Sequence, residues 1–113
     1  MPSIPGALQC VFWPGTNEGP VCDFLRALPK SIRIKFGADI RFAQNNWPVG
    51  MPRVGPLDDG AFEVRTTCNK VEYRAAFVVH GNVMHVLHVF VKKTQKTAPA
   101  DLKIIATRRK TLT

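Results

Sequence analysis

The fold is decided by residues 71–91, which read VEYRAAFVVHGNVMHVLHVFV. Strand-forming residues fill Val71–Val79 and Val83–Val91, and the alternation of polar and apolar side chains predicts two strands. Gly81 and Asn82 lie between them and are typical of a tight hairpin turn, because such a turn needs positive φ angles. The segment therefore predicts an antiparallel hairpin.

Another strand and several helices are predicted around this hairpin. Ala61–Thr67 alternates in the same way and extends the hairpin to an antiparallel meander. Residues 8–13 predict a short strand, and apolar residues at helical spacing predict a helical hairpin that ends near Asn45, with Asn17 as its N-cap. Ala98–Lys110 predicts a last helix. The order β-α-α-β-β-β-α indicates an α+β protein, an antiparallel sheet with helices packed on one face.

The remaining segments are a loop in the middle of the chain and a short N-terminal segment. Residues 46–60 are rich in proline and glycine and predict a loop, with Trp47 and Met51 as anchors onto the core. The length predicts one domain over residues 1–113, of which residues 1–7 are a loose N-terminal segment.

Cysteine usage and hydropathy predict the compartment. The chain has 3 cysteines without paired spacing, which disfavours a disulfide framework or a zinc site and favours a reducing compartment. No segment has the roughly 18 consecutive apolar residues that span a bilayer. We therefore expect a cytoplasmic protein with no membrane partner.

The charge of the chain predicts a polyanionic partner. There are 16 Lys+Arg against 8 Asp+Glu, a net charge of +8. Nucleic acid is the first candidate, and an acidic protein or a membrane surface is the second. The densest cationic segment is Lys92-Lys93-Thr94-Gln95-Lys96, directly after the last predicted strand. Lysines this close repel each other unless solvent screens them or an anion binds among them.

Arg65 and Arg74 are predicted to form a phosphate site together with these lysines. They belong to neighbouring strands, each on the face opposite the most apolar residues. Metal-free RNA cleavage needs a base for the 2′-hydroxyl, cations that stabilise the phosphorane, and an acid for the leaving 5′-oxygen. Guanidinium groups bind two phosphate oxygens at once, and a lysine crowded by cations becomes a better base. No acidic cluster of metal-binding type occurs, so neither a metal nor another cofactor is expected.

Each of these residues also has a simpler interpretation. The two arginines are also consistent with solvated side chains on an exposed face, and the lysine run with a solvated segment. Strict alternation puts His88 on the same face as Met84, Val86 and Phe90, which is typical of a partly buried histidine. Its parity also matches that of Lys92.

Several motifs occur in order along the chain. They are Leu28-Pro29 at a helix end, Gly50-Met51-Pro52, Leu57-Asp58-Asp59-Gly60 before Glu63-Val64-Arg65, Tyr73-Arg74, and Phe90-Val91-Lys92-Lys93-Thr94-Gln95-Lys96-Thr97-Ala98-Pro99. Together they resemble the RelE/ParE superfamily of bacterial toxins, and within it the HigB-like branch of phage-derived proteins. The likeness extends from Val11 to Arg109.

The resemblance implies the toxin of a type II toxin–antitoxin system. Such a toxin is a ribosome-dependent mRNA endonuclease that inhibits translation until a cognate antitoxin neutralises it. The implied partners are the ribosome, mRNA, a helix-turn-helix antitoxin, and operator DNA reached through that antitoxin. The candidate catalytic residues are Arg65, Arg74, Lys93, Lys96 and His88, and the candidate RNA-binding residues are Lys92, Thr94, Gln95, Arg108 and Arg109.

Some features leave the activity open. Some relatives use a late-strand or C-terminal tyrosine or histidine as general acid, and this chain has no tyrosine after Tyr73. The alternatives are His88, a lysine, or a proton supplied through the ribosome. A ParE-type toxin that inhibits gyrase has the same fold, and so does an inactive homologue that only binds its antitoxin.

Overall fold

The computed structural model of the chain describes residues 7–16 and 18–112. The strands are β1 (Gln9–Phe12), β2 (Val54–Pro56), β3 (Phe62–Cys68), β4 (Val71–His80) and β5 (Val83–Lys92). The helices are α1 (Pro20–Ala27), α2 (Lys30–Asn46) and α3 (Pro99–Lys110), and Asp58–Gly60 forms a short 3-10 turn. The α+β class is confirmed, and β2 is an addition to the predicted order.

The five strands form one sheet in the order β1-β5-β4-β3-β2. Strands β2 to β5 pair antiparallel, as the meander predicts. Strand β1 pairs parallel to β5, so the sheet is mixed and the prediction of a purely antiparallel sheet was wrong at this edge. A tight turn forces antiparallel pairing, whereas the long connection between β1 and β5 leaves the direction open.

Helices pack on both faces of the sheet, which corrects the prediction that they cover only one. Helices α1 and α2 enclose the larger core, with members such as Val21, Phe36 and Phe77. On the opposite face, Ile105 of α3 packs in a second apolar cluster with residues such as Ala76. The central strand β4 carries apolar side chains on both sides, so both faces need cover from water.

A bulge in β5 changes which side chains share a face. Ala76 pairs with His88, whereas the next residue, Phe77, pairs with Val86, so Leu87 is the extra residue. One extra residue reverses the side-chain parity of a strand. His88 therefore lies on the face opposite Val86, and the face expected from strict alternation was wrong.

The predicted loop contains the edge strand β2. Its three residues pair with β3, too few to show an alternating pattern in the sequence. Trp47 lies edge-on to the rings of Phe62 and Phe77, with centroids 4.9 and 5.4 Å away, which confirms it as an anchor. Met51 is 64% exposed, so its prediction as an anchor was wrong.

Two predictions fall on residues outside the described part of the chain. These are Asn17, the predicted N-cap, and residues 1–6 of the predicted N-terminal segment. Where the structure begins α1, Gly19 precedes the first helical residue, Pro20. None of the helices in residues 7–16 and 18–112 has the length and apolar content needed to cross a membrane.

The aromatic cluster gives a test of the core. Phe77→Ala is expected to lower the free energy of unfolding by about 3–5 kcal/mol, because it removes a fully buried ring. Met51→Ala, at an exposed site, is the control and should change it by less than about 0.5 kcal/mol. Urea denaturation followed by circular dichroism measures both, and equal midpoints for the two variants would contradict this packing.

Candidate functional site

Rows of side chains cross strands β3, β4 and β5 on the face where α3 packs. Residues directly opposite each other in neighbouring strands point to the same face. The rows are Glu63–Ala76–His88, Arg65–Arg74–Phe90 and Thr67–Glu72–Lys92. The middle row places the two predicted arginines side by side.

A buried carboxylate lies between these arginines. Glu63 is 1% exposed, and its Oε2 lies 3.0 Å from Nε of Arg65 and 3.5 Å from Nε of Arg74. The side chain of Arg65 is 28% exposed and that of Arg74 is 9% exposed. The negative charge offsets the repulsion between two adjacent guanidinium groups.

Gly55 makes room for the guanidinium of Arg65. It pairs with Glu63 from strand β2, and a Cβ atom at this position would lie 2.6 Å from Cζ of Arg65. Cβ atoms do not approach other heavy atoms so closely. The guanidinium thus packs directly on the backbone of β2, and a side chain there would displace it.

Further contacts fix Arg74 and continue to Lys92. Nη1 of Arg74 donates to the carbonyl of Tyr73 (3.0 Å) and to Oε2 of Glu72 (3.4 Å). Oε2 of Glu72 also accepts the hydroxyl of Thr67 at 2.5 Å. This hydroxyl, and then the charges of Arg74 and Lys92, hold the pKa of Glu72 below its usual value. Glu72 is therefore an anion, and its charge offsets the positive charges of Arg74 and Lys92.

After Lys92, which ends the Thr67–Glu72–Lys92 row, the basic segment 92–96 borders a depression of about 310 Å³, here called the lysine depression. It is lined by Phe90, Val91, Lys92, Lys93, Thr94, Lys96, Ala98 and Asp101. Phe90 also pairs with Arg74, so the lysine depression adjoins the arginines. Thr94 donates its hydroxyl to the carbonyl of Lys96 (2.6 Å), which shapes the turn, and Gln95 is exposed.

His88 ties the sheet to α3. Its Nε2 lies 2.7 Å from Oδ1 of Asp101, and its ring stacks on Phe90 with centroids 5.0 Å apart. Burial lowers the pKa of His88, while the hydrogen bond and charge of Asp101 oppose this shift and the charge of Arg108 adds to it. The ring is therefore largely neutral at neutral pH.

Comparison with known proteins identifies a family that covers most of the chain. Residues 23–110 match the family described as Phage derived protein Gp49-like (DUF891). The chain belongs to this family. It is a toxin-like family of toxin–antitoxin systems, often with a RelE-like fold, and it suggests an antitoxin as partner. The comparison with curated proteins gives no match.

The segment that matches the Gp49-like family contains all three rows. It also contains Arg108 and Arg109, whose side chains form contacts inside the fold. Nη1 of Arg108 donates to the carbonyl of Leu87 (2.8 Å), and its guanidinium lies 4.7 Å from the ring centre of Trp13. Arg109 donates to the carbonyl of Asp59. These contacts hold α3 to the sheet and to the 3-10 turn, and burial lowers the pKa of Arg108.

Sequence reasoning missed Glu63 and Gly55 as parts of the site. A signal for Glu63 was present, because it precedes Arg65 by two residues in a strand and must share its face. Gly55 carried no such signal, since its role depends on the pairing of β2 with β3. The predicted arginines and Lys92 do share one face, with Lys93 and Lys96 beside it.

This arrangement of cations suits the backbone of a polynucleotide. The two Nη atoms of Arg65 and Nη2 of Arg74 are the donors that contacts with Glu63, Glu72 and Tyr73 leave for phosphate oxygens, and the ammonium groups of the lysine depression offer further charge. Within residues 7–16 and 18–112, no three His, Cys, Asp or Glu side chains group as metal ligands would. The described site combines guanidinium and ammonium donors with the carboxylates of Glu63, Glu72 and Asp101.

Acid is expected to destabilise the protein in part through His88. Its pKa in the folded chain is lowered from 6.5, so the unfolded chain takes up the proton at higher pH. Its contribution to stability is complete above about pH 6.5 and is lost as the pH falls through the folded pKa. We expect the free energy of unfolding, measured by urea denaturation, to fall less between about pH 7.5 and about pH 5 for His88→Gln than for the wild type.

The exposed His80 provides the control for this experiment. The His80→Gln protein retains His88. Between the two pH values it should therefore still lose the free energy of unfolding that protonation of His88 costs. If the free energy of unfolding of His88→Gln fell as much as that of the wild type, this would contradict a lowered pKa of His88 in the folded chain.

Proposed function

We propose that this chain is the toxin of a type II toxin–antitoxin system, of the HigB-like branch, and that it cleaves mRNA on the ribosome without a metal ion. The observation that carries the proposal is the pair Arg65 and Arg74, adjacent on neighbouring strands and held by the buried Glu63. Membership of a toxin-like family supports the same conclusion.

The proposed reaction is an internal transfer of the phosphoryl group. The 2′-hydroxyl oxygen attacks the adjacent phosphorus, the bond from phosphorus to the 5′-oxygen breaks, and the products are a 2′,3′-cyclic phosphate and a 5′-hydroxyl. Arg65 and Arg74 donate hydrogen bonds to the non-bridging oxygens. These contacts strengthen as negative charge builds up on the phosphorane, and this stabilises the transition state.

The residues of the lysine depression complete the proposed site. Lys92 binds a flanking phosphate, with the side-chain amide of Gln95 as a further donor, and the hydrogen bond from Thr94 to Lys96 shapes the turn that carries them. The exposed Lys93 and Lys96 are proposed to move the protons: one accepts the proton of the 2′-hydroxyl, and the other gives a proton to the 5′-oxygen.

His88 is left out of proton transfer in this proposal. Its Nε2 contacts Asp101 and its ring stacks on Phe90, an arrangement that suits a role in holding α3. Arg108 and Arg109 are likewise assigned to the packing of that helix.

The proposed partners follow from charge and family. A net charge of +8 favours association with ribosomal RNA, which would bring mRNA to the arginines. We propose a helix-turn-helix antitoxin as the neutralising partner, which would link the toxin to its operator DNA.

Removing the cations tests the proposed site. Arg74→Ala is expected to lower the rate of mRNA cleavage on translating ribosomes by about 10²–10³-fold, because it deletes donors to the phosphorane. Lys93→Ala should lower it by about 10²-fold or more if Lys93 transfers a proton. Both variants should relieve the growth arrest that expression of the wild-type chain causes.

Lys30→Ala is the control for loss of one positive charge. Lys30 is exposed at the start of α2, the helix on the other face of the sheet, and its removal should leave cleavage within about 2-fold. Wild-type toxicity of Arg74→Ala and Lys93→Ala would contradict the proposed site. DNA damage with intact mRNA would instead indicate a gyrase inhibitor, and normal growth on wild-type expression an inactive homologue.

A further inference from the structure

Glu63 is a charged side chain at the centre of the site that the proposed reaction does not use. It is almost completely buried, at 1% exposure. A carboxylate is rarely buried unless cations pair with it, and here Oε2 contacts the Nε atoms of Arg65 and Arg74. The carboxylate is more deeply buried than either arginine side chain.

We propose that Glu63 is a positioning residue, which aims both guanidinium groups at one phosphodiester. This inference rests on the proposed nuclease function. Both contacts use Nε atoms, which leaves the two Nη atoms of Arg65 and Nη2 of Arg74 for substrate. Nη1 of Arg74 is taken up by the carbonyl of Tyr73 and by Glu72.

The charges of the side chains around the two arginines indicate the class of phosphate that they bind. Three cations, Arg65, Arg74 and Lys92, and two carboxylates, Glu63 and Glu72, have a net charge of +1. A phosphodiester inside an RNA chain carries one negative charge, whereas a terminal phosphate carries nearly two. Glu63 thus matches the site to an internal phosphate, and it prevents two arginines from repelling each other before substrate binds.

Two unpaired atoms at the same place support a role beyond stability. Among the described residues, Oε1 of Glu63 and Nε of Arg74 are buried without a hydrogen-bond partner. Native proteins rarely leave buried polar atoms unpaired, and such atoms are common where function sets the geometry. The contact of Glu63 with Arg65 is a hydrogen bond at 3.0 Å, whereas Nε of Arg74 lies 3.5 Å from Oε2 of Glu63, so Glu63 holds Arg65 more closely than it holds Arg74.

The test compares two variants of Glu63 in steady-state cleavage of mRNA on ribosomes. Glu63→Gln adds one net positive charge and loosens the arginines, so we expect kcat to fall by about 10²-fold while KM stays constant or decreases. Glu63→Asp keeps the charge and should recover kcat to within about 10-fold of the wild type. Asp23→Asn, at an exposed site on α1, makes the same charge change remotely and should leave both constants at wild-type values.

A second variant covers the case that Glu63→Gln does not fold. Gly55→Ala leaves all charges in place but displaces the guanidinium of Arg65, which packs on Gly55, and it should also lower kcat more than it raises KM. Gly50→Ala is the matched control, because a Cβ atom there meets nothing within 4 Å. Thermal melting of each purified variant reports its folding.

The outcomes separate the two proposals. Wild-type kcat in folded Glu63→Gln or folded Gly55→Ala overturns the positioning role, and so does a Glu63→Asp protein no more active than Glu63→Gln. In either case loss of cleavage in Arg74→Ala would leave the nuclease proposal standing. A wild-type chain that cleaves no mRNA on ribosomes overturns both.

Discussion

The contact of one buried carboxylate with two guanidinium groups is the interaction on which the site depends. A carboxylate as buried as Glu63 is rarely found without cations beside it, and an anion between two adjacent guanidinium groups offsets their repulsion. Each side chain therefore stabilises the others. The pairing of β3 with β4 supplies the register that brings them together, since Arg65 lies directly opposite Arg74.

The rest of the fold makes this arrangement possible. Strand β2 approaches without a side chain at Gly55, and α3 covers the apolar part of the same face through Ile105. The Asp101–His88 contact and the arginines at the end of α3 keep that helix in place. The basic segment after β5 can then border the arginine row, and a structural helix and a cationic surface share one side of the sheet.

Much of this arrangement follows from the sequence. Alternation and short turns fix the register of β3, β4 and β5, and so placed Arg65 and Arg74 together correctly. The sequence could not show the bulge at Leu87, because one extra residue leaves the composition of a strand unchanged. It also could not show the face of α3 or the direction of β1, since both depend on long connections and on packing between distant segments. Glu63 was overlooked because a lone carboxylate in a strand is usually solvated.

The most direct test of the account is a crystal structure of the chain with an RNA oligonucleotide whose 2′-hydroxyls are methylated, so that it cannot be cleaved. We expect one internal phosphate with its non-bridging oxygens about 3 Å from Nη atoms of both Arg65 and Arg74, and flanking phosphates along the lysine depression. RNA bound on another surface, with both arginines out of contact with any phosphate, would contradict it.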